Sequence, residues 1–307
     1  MKRRNFFHRA WGCLGFVVAA CSRRPRPASP ESAADLDIQR FSIAERQRPS
    51  GEPGLRFAAI ADTGTGAAGQ YAVAKAMATY HQDHPFPLVV MAGDNIYNNG
   101  EISKIGQVFE QPYQALRDRG VRFQAALGNH DVRTRNGIDQ VAYPEFHMDG
   151  QRYYSFMQGP VQFFVLDTNA NADWSRQLPW LDQELAVSKA SWPVVLGHHQ
   201  LYASGIYGVN EARWAVRLRE LLQTHQVPLY INGHEHHYER TDAIAGTTYL
   251  ICGAGSMTRP VGRSPWTAYS VSQLSFAALE VFEDEIWVQG IDTAGQVFDR
   301  GVILRPV

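Results

Sequence analysis

The chain has 307 residues, 45% of them hydrophobic, and a formal net charge of −1, which is enough apolar material for a substantial core and too little charge excess for a disordered polymer. Of the 29 Lys and Arg, seven (Lys2, Arg3, Arg4, Arg9, Arg23, Arg24 and Arg26) fall in the first 30 residues without an acid, leaving 22 basic against 30 acidic side chains beyond them. A folded part that is mildly acidic, with no basic stripe interleaved with aromatics, excludes nucleic acid as a structural partner.

At the N-terminus, the basic MKRRNFF, an apolar stretch over 10–20 and the small residues Ala19 and Ala20 before Cys21 read as an export signal spanning 1–21. The stretch is too short to span a bilayer. Arg3 and Arg4 followed by Phe6 and Phe7 resemble a twin-arginine signal, and VAAC at 18–21 resembles a lipoprotein cleavage box. The expectation is therefore an exported protein, periplasmic or at the cell surface, attached to a bacterial membrane through a lipidated Cys21. Residues 22–53, rich in Arg, Pro, Ser, Ala and Glu, read as a flexible tether. Residues 54–307 form one domain, in which Cys252 is the single thiol, so no disulfide forms within it; its apolar surroundings mark it as a small core residue.

From Leu55 the chain alternates apolar runs with helical stretches: LRFAAIA, a helix over 69–82, PLVVMAG, a helix over 101–118, and RFQAALG. This is a βαβαβ core with a mainly parallel sheet. YYSFM and VQFFVLD follow, then a helix over 175–189, PVVLG, a helix over 211–223 and VPLYING, and last TTYLICG, SFAALEVF, EIWVQGID and VFDRGVIL. Late strands without helices between them imply antiparallel pairing. The expected fold class is α/β, an αββα sandwich of two mixed sheets flanked by helices. In the 211–223 helix, Ala215, Leu218, Leu221 and Leu222 recur at helical spacing and mark the core face.

Five short segments follow apolar runs: ADTG at 61–64, GDNIY at 93–97, GNHD at 128–131, GHH at 197–199 and NGHEHH at 232–237, and they hold six of the eleven histidines. Metal-ligand chemistry is thus gathered at strand ends, where open α/β sheets bind ligands. Asp62, Asp94, Asn129, His198, His234 and His236 offer oxygen and imidazole donors, which suit Fe, Zn or Mn. Two cations about 3.5–4 Å apart need an anion between them, and Asp94 is the carboxylate placed to serve. His234 and His236, two apart on one loop, can face neighbouring ions.

These segments in this order resemble the calcineurin-like metallophosphoesterases, and within them the purple, tartrate-resistant acid phosphatases, over 55–255. Gly64 stands where many phosphodiesterases of the superfamily carry a ligand histidine, and Tyr97 stands where the purple type has a tyrosinate. A phenol ionises at neutral pH only beside a strong Lewis acid. The resemblance accordingly implies ferric iron held by Asp62, Tyr97 and His236, a divalent ion (Fe, Zn or Mn) held by Asn129, His198 and His234, and Asp94 as the bridge. It implies hydrolysis of small phosphate monoesters by direct attack of a metal-bound hydroxide, with His130 protonating the leaving group and Asp131 orienting His130. Where the tartrate-resistant type carries a further histidine, this chain has Tyr207; His199 and His237 are the candidates, with Tyr207, for contact with substrate. The alternatives are a phosphodiesterase or nucleotidase with two divalent ions, and a non-catalytic surface protein on the same scaffold.

Overall fold

The computed structural model describes residues 36–40 and 46–306. The export signal, Cys21 and the rest of the segment before Leu36 lie outside the described residues.

The strands in chain order are β1 (Ile38–Gln39), β2 (Leu55–Ile60), β3 (Leu88–Met91), β4 (Arg122–Ala125), β5 (Tyr154–Gln158), β6 (Val161–Val165), β7 (Trp192–Leu196), β8 (Leu229–Asn232), β9 (Tyr238–Thr241), β10 (Ala243–Ile244), β11 (Thr248–Cys252), β12 (Thr267–Val271), β13 (Ser275–Val281), β14 (Glu285–Asp292) and β15 (Val297–Leu304). Among the described residues they build two large sheets, ordered β15-β14-β13-β2-β3-β4 and β12-β9-β11-β8-β7-β6-β5. In the first, β2, β3 and β4 are parallel and β13 joins β2 antiparallel. In the second, β6, β7, β8 and β11 are parallel, with β5 and β9 antiparallel at the flanks.

Strands buried on both faces read as continuous apolar runs, and LVVM of β3 is buried at all four positions. Between the sheets Phe57 of β2 meets Phe163 of β6 edge to face at 5.2 Å, an aromatic contact across the shared core. Outside the second sheet, helix Trp174–Val187 and helix Arg213–Thr224 lay Leu181, Leu185, Ala215, Leu218 and Leu222 on Phe164, Val195 and Tyr230. Helix Ala68–Asp83 covers the first sheet with Val73 and Met77. The expected αββα sandwich is the observed one.

Two expectations change. The helix expected over 101–118 is broken into a 3-10 turn at Ile102–Lys104, a π turn at Gly106–Glu110 and a single α turn at Gln114–Arg117. The wider π turn leaves both Val108 and Phe109 buried, and Phe109 packs against Phe123 at 5.1 Å and Phe146 at 5.0 Å. The tether expected over 22–53 is, where described, a docked strap: Ile38 and Gln39 pair with Ile244 and Ala243, and Arg48 forks onto Glu280 at 2.7 and 2.9 Å. Arg56 donates to the same carboxylate at 3.0 Å. A planar guanidinium matched to a carboxylate fixes direction as well as contact, so polar composition did not mean mobility here.

Candidate metal centre

The carboxyl ends of the parallel strands from both sheets meet along one edge of the sandwich. From the first sheet come Asp62 after β2, Asp94 and Tyr97 after β3, and Asn129 and His130 after β4; from the second come His198 after β7 and His234 and His236 after β8. Asp62, Asp94 and His234 hold left-handed backbones, with φ of 56°, 54° and 70°. For residues with a Cβ such conformations cost energy and persist where surrounding contacts over-determine them. Here the Asp62 carboxylate accepts the His234 backbone N–H at 2.9 Å, and the Asp94 carboxylate accepts that of His130 at 2.9 Å. The ligand loops therefore hold one another, within the first sheet through Asp94 and His130 and across the two sheets through Asp62 and His234.

The donors fall into two groups. In one, the Tyr97 hydroxyl lies 3.0 Å from Asp62 Oδ1 and 3.2 Å from His236 Nε2, which is itself 3.3 Å from Asp62 Oδ1. In the other, His198 Nε2 is 3.1 Å from Asn129 Oδ1, and the His234 ring lies 5.1 Å from the His198 ring. Asp94 stands between: its Oδ2 is 3.4 Å from His198 Nε2, and ligand atoms of Asp62, Asp94 and His198 all lie within 4.8 Å of one another. All seven side chains expected as metal ligands are thus brought together.

A cation fits this donor set. Asp62 and Asp94 are 0% and 1% exposed, and two carboxylates buried side by side demand compensating positive charge. Burial opposes ionisation of Asp94, yet the charge and hydrogen bond of His198 hold it well below the usual carboxylate range. Conversely, burial pulls His198 down while Asp94 and then Asp62 push it up, to about 9. Burial, then the Asp62 and Asp94 charges, drive the Tyr97 phenol far above its ordinary value. Only a strong Lewis acid in place of those protons would ionise it. His198 is pre-set for coordination: Nδ1 donates to the Ala92 carbonyl at 2.9 Å, leaving Nε2 toward Asp94. Space is cleared by glycine: a Cβ at Gly93, whose φ is +86°, would stand 2.7 Å from His198 Nδ1.

Among the other site candidates, His130 lies at the opening, its side chain 20% exposed and its Nε2 3.9 Å from Asp94 Oδ2. Asp131 does not orient it. The Asp131 carboxylate is fully buried and accepts from the backbone N–H groups of Asn95 (3.0 Å), Ile96 (3.0 Å) and Gly128 (2.7 Å) and from the amides of Asn95 and Gln140. The 3-10 turn that begins at Asp131 carries it inward, and the Asn98 carbonyl holds His130 Nδ1 at 2.7 Å instead. His237 is no substrate contact either: it is 0% exposed, with Nε2 3.2 Å from the buried Glu239. His199 borders His234 at 4.5 Å between ring centres and pairs through Nδ1 with Thr168 Oγ1 at 2.9 Å. Burial first, and then the His198 charge, push it down to about 3. Tyr207 stacks on His234 at 4.5 Å with planes 19° apart. Cys252 is a buried free thiol, as expected.

Residues without a motif also shape the opening. Arg133 reaches His130 Nε2 at 3.3 Å and the Asn98 carbonyl at 3.1 Å. Arg259 donates to the His234 carbonyl at 3.3 Å and lies over the Tyr207 ring. Thr168 Oγ1 accepts the backbone N–H groups of His198 and His199. Its one sequence signal is its place just after the apolar run of β6.

Comparison with known proteins agrees with this geometry. The sequence profile described as calcineurin-like phosphoesterase matches residues 55–238. Purple acid phosphatase 7 of Arabidopsis thaliana is 27% identical over 301 aligned positions, covering 87% of this chain and 91% of that protein. Tartrate-resistant acid phosphatase type 5 of Sus scrofa is 26% identical over 250, covering 69% and 73%. Among solved structures, GAP50 of Plasmodium superposes with a TM-score of 0.74 at 21% identity, covering 82% of this chain and 89% of that one.

Proposed function

Since this chain belongs to the calcineurin-like phosphoesterase family, we propose that it is a dinuclear-metal phosphatase acting on phosphate monoesters. The observation that carries the reading is the convergence of two donor groups on Asp94, since a shared carboxylate is what a paired-ion site requires. Asp62, Tyr97 and His236 would hold one ion, Asn129, His198 and His234 the other, with Asp94 between them. The phenol of Tyr97 among these donors favours ferric iron at the first position, paired with a divalent ion. Bound there, the ions supply Lewis acidity toward phosphoryl oxygens and activate water.

His130 is the group placed to move the proton. Its Nδ1 is tied to the Asn98 carbonyl and its Nε2 faces the Asp94 side of the opening. In the structure Nε2 accepts from Arg133, so the role requires a proton on Nε2 in place of that contact: as water oxygen bonds to phosphorus and the ester P–O bond breaks, that proton leaves with the alcohol and a proton of the attacking water replaces it. Arg133 and Arg259 put positive charge at the opening, beside His130 and over Tyr207 respectively.

The fold alone does not decide for turnover, because GAP50, described as the anchor in the inner membrane complex of Plasmodium, shares it. The intact donor set with His130 in place favours an enzyme. The test is metal analysis, visible absorbance and a panel of mono- and diesters on one preparation. A purple, two-metal protein that prefers monoesters supports every part of the reading. A colourless, fully metallated protein removes ferric iron and favours two divalent ions with diester or nucleotide substrates; a metallated protein inert toward every ester leaves the binding protein. We also propose export and lipid attachment at Cys21, supported by the N-terminal sequence. Mass spectrometry of the membrane-extracted protein tests this: a mature N-terminus at acylated Cys21 is expected, and an intact leader on a soluble product contradicts it.

A further inference from the structure

The two imidazoles assigned to the second ion are held in different ways. His198 is oriented by a hydrogen bond, its Nδ1 donating to the Ala92 carbonyl at 2.9 Å, as metal-ligating imidazoles ordinarily are. His234 has no such bond among the described residues. Both of its hydrogen bonds are made by its backbone, the N–H donating to Asp62 and the carbonyl accepting from Arg259. Its ring is placed by other rings: Tyr207 stacks on it at 4.5 Å with planes 19° apart, and His199 borders it at the same distance with planes 47° apart.

His199 is itself pinned through Nδ1 to Thr168. Tyr207 is 42% exposed, on a turn that contains Gly205 and ends at Gly208 with φ of +63°. An exposed turn with two glycines does not fix a ring by itself. Two carboxylates from the ligand loop and the strand after it do so. Glu239 accepts the Ser204 N–H at 2.7 Å and its hydroxyl at 2.6 Å, and Glu235 accepts the Tyr207 N–H at 2.6 Å. Glu235 is 0% exposed, and a Cβ on Gly205 would stand 2.6 Å from either of its carboxylate oxygens, so the turn rests directly on it. Its second oxygen has no protein partner. Burying a carboxylate for one hydrogen bond is a net cost to the fold, which points to the ring that the bond places. Arg259 ties the arrangement together, its guanidinium lying over the Tyr207 ring and donating to the His234 carbonyl at 3.3 Å.

Resting on the paired-ion reading above, we propose that Tyr207 orients His234 for its ion by stacking, in place of a hydrogen bond, and that Glu235 is the positioning residue that keeps Tyr207 there. The stack needs the ring of Tyr207 and not its hydroxyl. The Glu235 contact needs an acceptor and not a charge.

The experiment compares the wild type with Tyr207→Phe, Tyr207→Ala, Glu235→Gln, Glu235→Ala and the Glu235→Ala/Tyr207→Ala double variant by two measurements. The first follows, by NMR of metal-stripped protein with isotope-labelled histidine, the His234 ring resonance, which lies in the ring current of Tyr207 and is assigned by its loss in His234→Gln. The second titrates zinc against a competing chelator. The resonance is expected to move in Tyr207→Ala and Glu235→Ala and to stay close to its place in Tyr207→Phe and Glu235→Gln. One of two zinc ions should be held about three- to tenfold more weakly in the alanine variants and within about twofold in the other two. The double variant should be no weaker than Tyr207→Ala, because both residues act through one stack. An unmoved resonance in Glu235→Ala, or unchanged zinc binding in Tyr207→Ala, overturns the proposal. Losses that add in the double variant, or a Glu235→Gln as weak as Glu235→Ala, overturn the positioning role, the latter by assigning the effect to charge. A wild type that takes up one zinc ion or none refutes the paired-ion reading; the resonances then decide the stack by themselves, an unmoved one in Glu235→Ala refuting it and a moved one sustaining it.

Discussion

Replacing Asp131 with alanine tests whether the residue after the proposed proton donor serves chemistry or architecture. The carboxylate accepts three buried backbone N–H groups, those of Asn95, Ile96 and Gly128, and two side-chain amides. Those backbones belong to the loops that carry Asp94, Tyr97 and Asn129, so one side chain sets the spacing between two ligand loops. Each buried donor left without an acceptor costs about 1–3 kcal/mol. Allowing for relaxation and water entry, three backbone donors at the lower end give a loss of about 3–5 kcal/mol, a large share of a typical domain's stability. For a domain of this size that is a fall of about 6–20 °C in Tm. Calorimetry, metal content and steady-state turnover should be read on the same preparation. A large fall in Tm is expected, with metal and activity lost together. A variant with unchanged Tm and full metal that is merely slow would refute this reasoning and return Asp131 to an orienting role toward His130.

Three further outcomes follow from particular contacts. His130→Ala should keep its metal complement while kcat falls about 10²–10⁴-fold, checked by elemental analysis beside turnover; full activity contradicts the proton-transfer role. Gly93→Ala places a Cβ against His198 Nδ1 at a left-handed φ, so weaker metal retention is expected, measured by competition with a chelator. In metal-stripped protein, His198 is raised to about 9 by Asp94 despite burial. A histidine with a raised folded value contributes stability that is complete below its unfolded value near 6.5 and is lost as pH climbs through about 9. The stripped protein should thus lose Tm between those limits and the loaded protein should not, with proton release on metal binding seen by titration calorimetry. Parallel curves for the two forms would contradict the assignment.

The convergence of these side chains was legible because each sits in a short fixed word at the end of an apolar run, and strand ends converge once the sheets pair. The two sheets were legible from the late runs SFAALEVF, EIWVQGID and VFDRGVIL, which have no helix between them. What failed was direction. Asp131 is next to His130 in sequence, but the 3-10 turn points its carboxylate inward. His237 follows His236, but the chain bends there, with His234 left-handed and the His237 N–H donating to the Glu235 carbonyl at 2.8 Å, and this turn sends the His237 ring to Glu239. The strap was missed because Arg48 and Arg56 meet Glu280 only through a fold that joins residues more than 200 positions apart. Tyr207 and Glu235 become partners only when the 204–208 turn folds back onto the ligand loop, a contact no local spacing encodes.

The central claim is that Asp94 is common to both ion sites. Elemental analysis of Asp94→Ala against the wild type, folded and purified in parallel under metal-replete conditions, tests it most directly. Two ions per chain are expected in the wild type and less than half an ion in the variant. A folded variant that keeps a full ion at either position would contradict it.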